Sequence, residues 1–203
     1  LHTLLGIAGV ASDASLGFEI QQRIVVGPKG ENLAQVARPQ LMAAWSRLLG
    51  LLLKALPGDC YALGQNVVEI GSGDAKQSAS VRLADGRRHD AELIVVADGG
   101  RSAFRTPHFD ATPPTWAGYV AWRTLLPLEA LDPPARDWIN TTFAFEFARG
   151  EEIVGYPVLA DDGTVMVNIV WYRDSSPGEL KDLLTDETGR HHPDGISPNL
   201  IRR

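Results

Sequence analysis

The stretch ELIVVADGGRSAFR, residues 92–105, decides the fold class of this chain. Four apolar residues at 93–96 predict a buried strand, and the Ala-Asp-Gly-Gly run that follows predicts a sharp turn. Ser102 is typical of a residue that caps the start of a helix. Open α/β sheets bind nucleotides where a strand ends and a helix begins. The spacing alone fits a nucleotide site and a plain strand-to-helix corner equally well.

Asp98 and Gly99 are the candidate nucleotide contacts in this stretch. The Asp98 carboxylate can accept a hydrogen bond from a ribose hydroxyl, or it can hold the turn. Gly99 has no side chain, so a ligand can approach its backbone closely. The glycine fingerprint of dinucleotide-binding enzymes is missing, because the GxG at residues 71–73 precedes a predicted strand rather than a helix. We interpret that segment as a hairpin loop.

The first part of the chain alternates strand and helix patterns. Residues 18–26 and 32–36 predict two strands around a Gly-Pro-Lys-Gly turn. Residues 39–56 predict a helix, since apolar side chains recur every three or four residues and Pro39 suits a first helical turn. Arg38 would then lie at the amino end of this helix, where it could help bind an anion. The spacing by itself favours an ordinary surface arginine.

The middle of the chain continues with strand patterns. Residues 60–70 predict a strand, and residues 81–99 predict a hairpin that turns at Asp85-Gly86 and continues into the strand before Asp98. After residue 105 the composition changes: aromatic segments predict an antiparallel sheet in a second domain, and a short helix is expected at 179–184. The fold class is therefore α/β, or α+β.

Aromatic residues are concentrated in the predicted antiparallel sheet. Alternation along a strand places Tyr119 and Trp122 on opposite faces. Most of these rings are expected to be sheet core, and some could line a pocket for a ring-shaped ligand. They are Trp116, Tyr119, Trp122, Tyr156, Trp171 and Tyr172.

Composition excludes several classes of function. The 203 residues carry a net charge of -6 with scattered basic residues, which argues against nucleic-acid binding. No apolar run predicts a membrane span or a signal peptide. The single Cys60 excludes an internal disulfide and fits a reducing compartment, so we expect a cytoplasmic protein. His191-His192 has no partner cluster at metal-ligand spacing, so no metal is expected.

Residues 92–105 resemble the second FAD motif of the group A flavoprotein aromatic hydroxylases, which have the p-hydroxybenzoate hydroxylase-like fold. ARPQLMAAWSRLL at 37–49 is similar to a helix of the family whose arginine contacts FAD, and LGQNVVEI at 63–70 is similar to its strand near the adenine. TWAGYVAWRT, GYPV, VNIVWYRD and ISPNLIRR resemble the 2,6-dihydroxypyridine 3-monooxygenase branch. One departure is Val96-Ala97, where the family usually has Gly-Ala.

The resemblance implies a fold, a reaction and site residues. Residues 1–110 would form a partial Rossmann-like FAD-binding domain with an excursion into the substrate domain at about 17–37. Residues 111–185 would form the antiparallel substrate domain, and 186–203 an incomplete tail. The family uses FAD, NAD(P)H and O2 to hydroxylate an electron-rich aromatic or N-heteroaromatic ring. Arg38, Val67, Asp98 and Gly99 would bind the cofactor, and Tyr156 and Trp171 are the predicted ring contacts. The catalytic base stays unknown.

The resemblance also implies that the chain is a middle fragment. Relative to the family, it begins after the glycine fingerprint and stops before a later Gly-Asp segment, so weak FAD retention and no turnover are expected of the fragment alone. Two alternatives stay open: an FAD enzyme of another reaction type, and a non-catalytic remnant or binding module. A homodimer is also compatible with the resemblance.

Overall fold

The computed structural model describes residues 2–11, 14–100, 102–109, 115–193 and 195–200. The chain forms two compact units. The first comprises Leu1–Leu56 and Ala117–Arg203, and the second comprises Pro57–Trp116. Whether the first 56 residues belong with an FAD-binding domain, as the sequence predicts, stays a prediction.

Among its described residues, the first unit has six strands and four α-helices. The strands are β1 (Phe18–Val26), β2 (Asn32–Met42), β6 (Tyr119–Pro127), β7 (Thr142–Ala148), β8 (Glu151–Leu159) and β9 (Val165–Asp174). The helices are α1 (His2–Ile7), α2 (Trp45–Ala55), α4 (Pro133–Ile139) and α5 (Pro177–Leu183). Short 3-10 helices lie at Leu128–Ala130 and Pro198–Leu200. None of the described helices is long and apolar enough to cross a membrane.

The strands form one sheet in the order β2-β1-β7-β8-β9-β6. The expected antiparallel sheet is confirmed for β6 to β9, whose neighbouring strands are joined by antiparallel pairing. The sheet as a whole is mixed, because β1 lies parallel to β7. Sequence patterns could not reveal this pairing, since it joins strands about 120 residues apart in the chain.

Each face of the sheet has its own core. On one face, the buried residues Ile20, Met42 and Val158 pack together. On the other, Ile139 of α4 packs with Ala144 and Val167. Burying apolar side chains on both faces stabilises the sheet and holds its strands in register.

The predicted helix at 39–56 begins later than expected. Residues up to Met42 are strand, and α2 starts only at Trp45. A register shift at Ile20/Gln22 places Arg38 and Pro39 together opposite one residue of β1, as in a β-bulge. Pro39 is tolerated there because β2 is an edge strand and a bulge leaves a ladder bond unmade. The prediction that Arg38 lies at a helix amino end is therefore wrong.

The second unit contains a three-stranded antiparallel sheet of β3 (Val67–Gly71), β4 (Ala79–Leu83) and β5 (Arg88–Ala91), followed by the short helix α3 (Arg105–Phe109). The hairpin turning at Asp85-Gly86 is confirmed, with Gly86 at φ +88. The strand predicted at 93–96 is not formed: β5 ends at Ala91, and Leu93 and Val95 are exposed. A strand needs a hydrogen-bonded neighbour, and no described residue pairs with this segment.

Candidate functional site

The site in the first unit lies on the sheet face that carries Tyr156, which we call the Tyr156 face. In the register of the sheet, Tyr156 lies opposite Asn168, and Glu152 lies opposite Tyr172. Val154 lies between them along β8 and opposite Phe145 of β7. Because side chains alternate between faces along a strand, these residues share one face across three strands.

A groove of about 640 Å³ opens on this face near the hairpin between β7 and β8. Its size falls within the range of about 300–1,000 Å³ typical of small-molecule sites. The groove is lined by five rings and two acidic side chains on the same face: Tyr119, Phe143, Phe145, Tyr156, Tyr172, Glu152 and Asp174.

The rings of the groove pack against each other. Phe143 stacks on Phe145 with ring centroids 4.2 Å apart and meets Tyr156 edge-on at 4.8 Å. Tyr119 and Tyr172 form a second edge-on pair at 5.8 Å. Such contacts restrain the rings, so they present a preformed surface to a flat ligand.

Tyr156 is the candidate polar contact of the groove. Burial raises the pKa of its phenol above the usual value, Arg123 opposes this with a smaller lowering effect, and Tyr172 adds to the rise. The hydroxyl therefore stays protonated at neutral pH. A neutral phenol can both donate a hydrogen bond to a ligand oxygen and accept one from a ligand hydroxyl.

Two further polar side chains lie on the Tyr156 face. Asn168 is buried, and its Nδ2 has no hydrogen-bond partner among the described residues. The guanidinium of Arg23 lies 5.6 Å from the Phe143 ring centroid and donates to Gln40, while its buried Nε has no described partner. Unpartnered buried donors are costly, so a ligand acceptor at this face would be favoured.

Trp171 lies on the opposite face of the sheet. It pairs in register with Ile153 and Trp122, and its indole Nε1 donates to Glu151 at 3.1 Å. It does not line the groove. One small ring on the Tyr156 face therefore cannot contact both Tyr156 and Trp171.

The site in the second unit is the turn predicted from the opening stretch. Asp98, Gly99, Ser102 and Arg105 line a pocket of about 300 Å³ with Val96. Gly99 has φ +88, a conformation that favours glycine, and a Cβ there would meet nothing within 4 Å. A ligand can therefore approach this backbone unobstructed.

Two hydrogen bonds to one side chain fix the turn. The Ser102 hydroxyl accepts from the backbone N–H groups of Phe104 and Arg105 at 3.2 and 3.1 Å. Arg105 donates in turn to the Gly100 carbonyl at 2.9 Å, and its buried Nε has no partner in the described part of the chain. The turn thus combines the exposed Asp98 carboxylate, an uncrowded Gly99 backbone and a buried Arg105 Nε with no described partner.

The remaining predicted cofactor residues lie apart from this pocket. Val67 is the half-buried first residue of β3 and does not line it. Arg38 is exposed in the bulge of β2 and forms no side-chain hydrogen bond or ion pair with a described residue. The structure brings Asp98 and Gly99 together, and it leaves the roles of Arg38 and Val67 as predictions.

Sequence reasoning missed several groove residues. The alternation of side chains along a strand, which separated Tyr119 from Trp122, could also have identified Phe143, Phe145 and Glu152. Asn168 and Arg23 could not be found this way. Their place beside Tyr156 depends on the pairing of strands, which no local pattern records.

Comparisons with known proteins support the resemblance. Residues 116–203 match a family model described as FAD binding domain-like. The chain is 24% identical over 175 residues to 2,6-dihydroxypyridine 3-monooxygenase of Paenarthrobacter nicotinovorans, covering 85% of this chain and 43% of that protein. It is 34% identical over 119 residues to aurachin C monooxygenase/isomerase of Stigmatella aurantiaca, covering 54% of this chain and 30% of that protein.

Solved structures agree with these matches. The structure of 2,6-dihydroxypyridine-3-hydroxylase from Arthrobacter nicotinovorans superposes with a TM-score of 0.82 at 24% identity, covering 95% of this chain and 49% of that one. The chain has the fold of the FAD-dependent aromatic hydroxylases. HpxO of Klebsiella pneumoniae, complexed with FAD and uric acid, shares this hydroxylase fold with a TM-score of 0.67 at 21% identity, covering 90% of this chain and 47% of that one. The chain spans less than half the length of each of these relatives.

Proposed function

We propose that the chain supplies part of an FAD-dependent monooxygenase that hydroxylates an electron-rich aromatic or N-heteroaromatic ring with NAD(P)H and O2. The observation that carries the proposal is the ring-lined groove on the Tyr156 face, in a chain with the hydroxylase fold. Relatives named as a dihydroxypyridine and an aurachin C monooxygenase support the same class of reaction.

The turn at 96–105 fits FAD. FAD supplies the redox chemistry with O2 when it is bound. In the proposal, the Asp98 carboxylate accepts hydrogen bonds from cofactor hydroxyls, and Gly99 lets the cofactor approach the backbone. The unpartnered donor of Arg105 supports an anionic or oxygen-rich ligand at this turn. Arg38 and Val67 belong to the proposal as further cofactor contacts, and both rest on the family resemblance.

On the Tyr156 face, the residues of this chain would bind and orient the ring. Phe143 and Tyr156 contact its plane, which excludes water from it. The Tyr156 hydroxyl, which is protonated at neutral pH, holds a ring oxygen by a hydrogen bond, and burial raises the pKa of this phenol further. Fixing the ring in one orientation selects which carbon is hydroxylated.

A non-catalytic binding module is the second candidate. The groove is formed entirely by residues of the first unit, so a ring could bind there without a cofactor. An FAD enzyme of another reaction type would use the same turn at 96–105 with a different product. The nature of the product therefore separates the candidates.

The test is an oxygen-isotope experiment. The whole monooxygenase of which this chain is proposed to be a part is mixed with FAD, NADH or NADPH, and a panel of hydroxylated pyridines and phenols under ¹⁸O2, and products are analysed by mass spectrometry. One ¹⁸O atom in a ring hydroxyl supports the proposal. Ring binding with neither FAD binding nor product favours the binding module, and FAD-dependent turnover without oxygen incorporation favours another flavin reaction.

The proposal includes a cytoplasmic location and a homodimer. The single cysteine supports the reducing compartment. Light scattering at two protein concentrations tests the dimer, and fractionation of the source cells tests the location.

A further inference from the structure

We propose that the groove on the Tyr156 face takes a two-ring N-heteroaromatic, with a hydroxyl at the Tyr156 end and an N–H donor at Glu152. This inference rests on the proposed function and narrows its substrate class. It makes Glu152 a specificity-determining residue.

The length of the groove is the first argument. Tyr156 and Glu152 are four residues apart on β8, which places their Cα atoms about 13 Å apart along the strand. A ligand ring contacts a protein ring when their centroids lie within about 7 Å. A single ring packed on Phe143 and Tyr156 would therefore leave the Tyr119–Tyr172 pair bare. A second fused ring would cover it.

The charge at the far end is the second argument. Glu152 lies beside Tyr172 on the groove floor and is half-buried. Its carboxylate forms no hydrogen bond or ion pair with any described residue. Asp174, opposite Tyr119, adds a second carboxylate on the same face at this end, whereas Glu151 and Arg173 pair with each other on the opposite face of the sheet. A half-buried carboxylate among rings is best matched by an N–H donor on a flat ligand.

The opposite end of the groove favours an oxygen atom of the ligand. The Tyr156 phenol is protonated at neutral pH, and it lies opposite Asn168, whose Nδ2 has no described partner. Both groups can donate to a ligand hydroxyl or carbonyl oxygen. The two ends thus differ in polarity, which fixes the direction in which a bicyclic ligand lies.

Three probes separate the arguments: phenol, 6-hydroxyindole and 6-hydroxy-1-methylindole. Binding to the full chain is measured by isothermal titration calorimetry without NAD(P)H, so no turnover interferes. We expect 6-hydroxyindole to bind at least tenfold more tightly than phenol. The N-methyl compound should lose about tenfold relative to 6-hydroxyindole, because it cannot donate to the carboxylate.

The variant Glu152→Gln isolates the role of the carboxylate. It should lower the affinity for 6-hydroxyindole about tenfold and change the affinities for phenol and the N-methyl compound by less than twofold. The matched control is Glu146→Gln, because Glu146 lies on the same sheet but on the face opposite Phe145 and Phe147. It should leave all three affinities unchanged, and thermal melting checks that both variants fold.

The outcomes distinguish this inference from the proposed function. If phenol and 6-hydroxyindole bind equally well, or Glu152→Gln weakens all probes alike, the inference is overturned and the proposed function stands. If a well-folded protein binds none of the probes, the aromatic-substrate assignment of the groove is overturned with it.

Discussion

At the residue scale, single side chains fix two loops of the chain. Asp186 is buried near the end of the described residues, and its carboxylate accepts from Thr188 Oγ1 at 2.6 Å and from His192 Nε2 at 2.7 Å. The backbone N–H groups of Thr188 and Arg190 donate to it as well. The loop therefore folds around one carboxylate, much as the turn at 96–105 folds around the Ser102 hydroxyl.

This loop makes stability depend on pH. The hydrogen bond from His192, and next that from Thr188, lower the pKa of Asp186 far below its usual range, while burial opposes them. A carboxyl with a depressed folded pKa contributes stability that is fully present above its unfolded value of about 3.9 and is lost as pH falls further. Asp186→Asn should therefore lower the melting temperature at pH 7. The difference in melting temperature between the wild type and this variant should become smaller below about pH 4.

The control for this prediction is Asp182→Asn. The exposed side chain of Asp182 forms no hydrogen bond with the described residues, so this variant should melt like the wild type at every pH. Differential scanning calorimetry from pH 3 to pH 8 measures both. A wild-type minus Asp186→Asn difference that stays constant over this range would contradict the prediction.

Gly99 gives the second residue-scale prediction. An alanine there must adopt the left-handed conformation, which costs about 1–2 kcal/mol. If FAD requires the turn as it stands, Gly99→Ala should weaken FAD binding roughly 5- to 30-fold. Quenching of flavin fluorescence on binding measures this.

Gly100→Ala is the matched control for Gly99→Ala. Gly100 is the next residue, has no left-handed φ, and a Cβ there would also meet nothing within 4 Å. This variant should bind FAD like the wild type. Equal losses in the two variants would mean that added bulk, rather than backbone conformation, weakens binding.

At the element scale, most helices and strands could be predicted from periodicity and turn residues. The exceptions have physical reasons. Residues 39–42 follow a helical pattern of apolar side chains, yet pairing with β1 holds them in the edge strand β2. Residues 93–96 have the composition of a buried strand, but a strand forms only beside a partner, and Ala91 is the last residue of this segment that is paired. In both cases the pairing of strands, rather than the local sequence pattern, determines the secondary structure.

The cap of α4 gives a prediction at this scale. The Asp132 carboxylate accepts from the Ala135 N–H at 2.9 Å, and Pro133 begins the helix. Because α4 buries Ile139 against the sheet, loss of the cap should weaken the whole unit. Asp132→Ala should lower the free energy of unfolding by about 1 kcal/mol, measured by urea denaturation. Asp137→Ala, in the interior of the same helix, should change it much less, and equal losses would contradict the capping role.

At the scale of the whole molecule, the fold could be predicted and much of the site could not. The order of the motifs indicated the hydroxylase fold, which the comparisons confirm. The composition of the groove depends instead on register. Ile20 packs with Val158 beside Tyr156, and Arg23 lies over Phe143, although alternation would put residues 20 and 23 on opposite faces. In β1 the N–H groups of Gln21 and Gln22 both donate to the Thr141 carbonyl, and no sequence pattern marked this irregularity between residues 20 and 23.

The two faces of the six-stranded sheet should therefore have separate roles. The Tyr156 face carries the groove, and the other face is held by α4 and the hydrogen bond from Trp171 to Glu151. Tyr156→Phe removes one hydrogen bond to a ring oxygen, worth about 0.5–1.5 kcal/mol, so phenol should bind roughly two- to tenfold more weakly. Trp171→Phe should leave phenol affinity within twofold. It should lower the melting temperature, because it removes the hydrogen bond to Glu151 and part of the packing on the other face. Titration calorimetry and thermal melting of both variants measure the two effects. A large loss of phenol affinity in a well-folded Trp171→Phe protein would place the ring on the opposite face, as the sequence-based prediction for Trp171 requires, and would exclude the groove as its site.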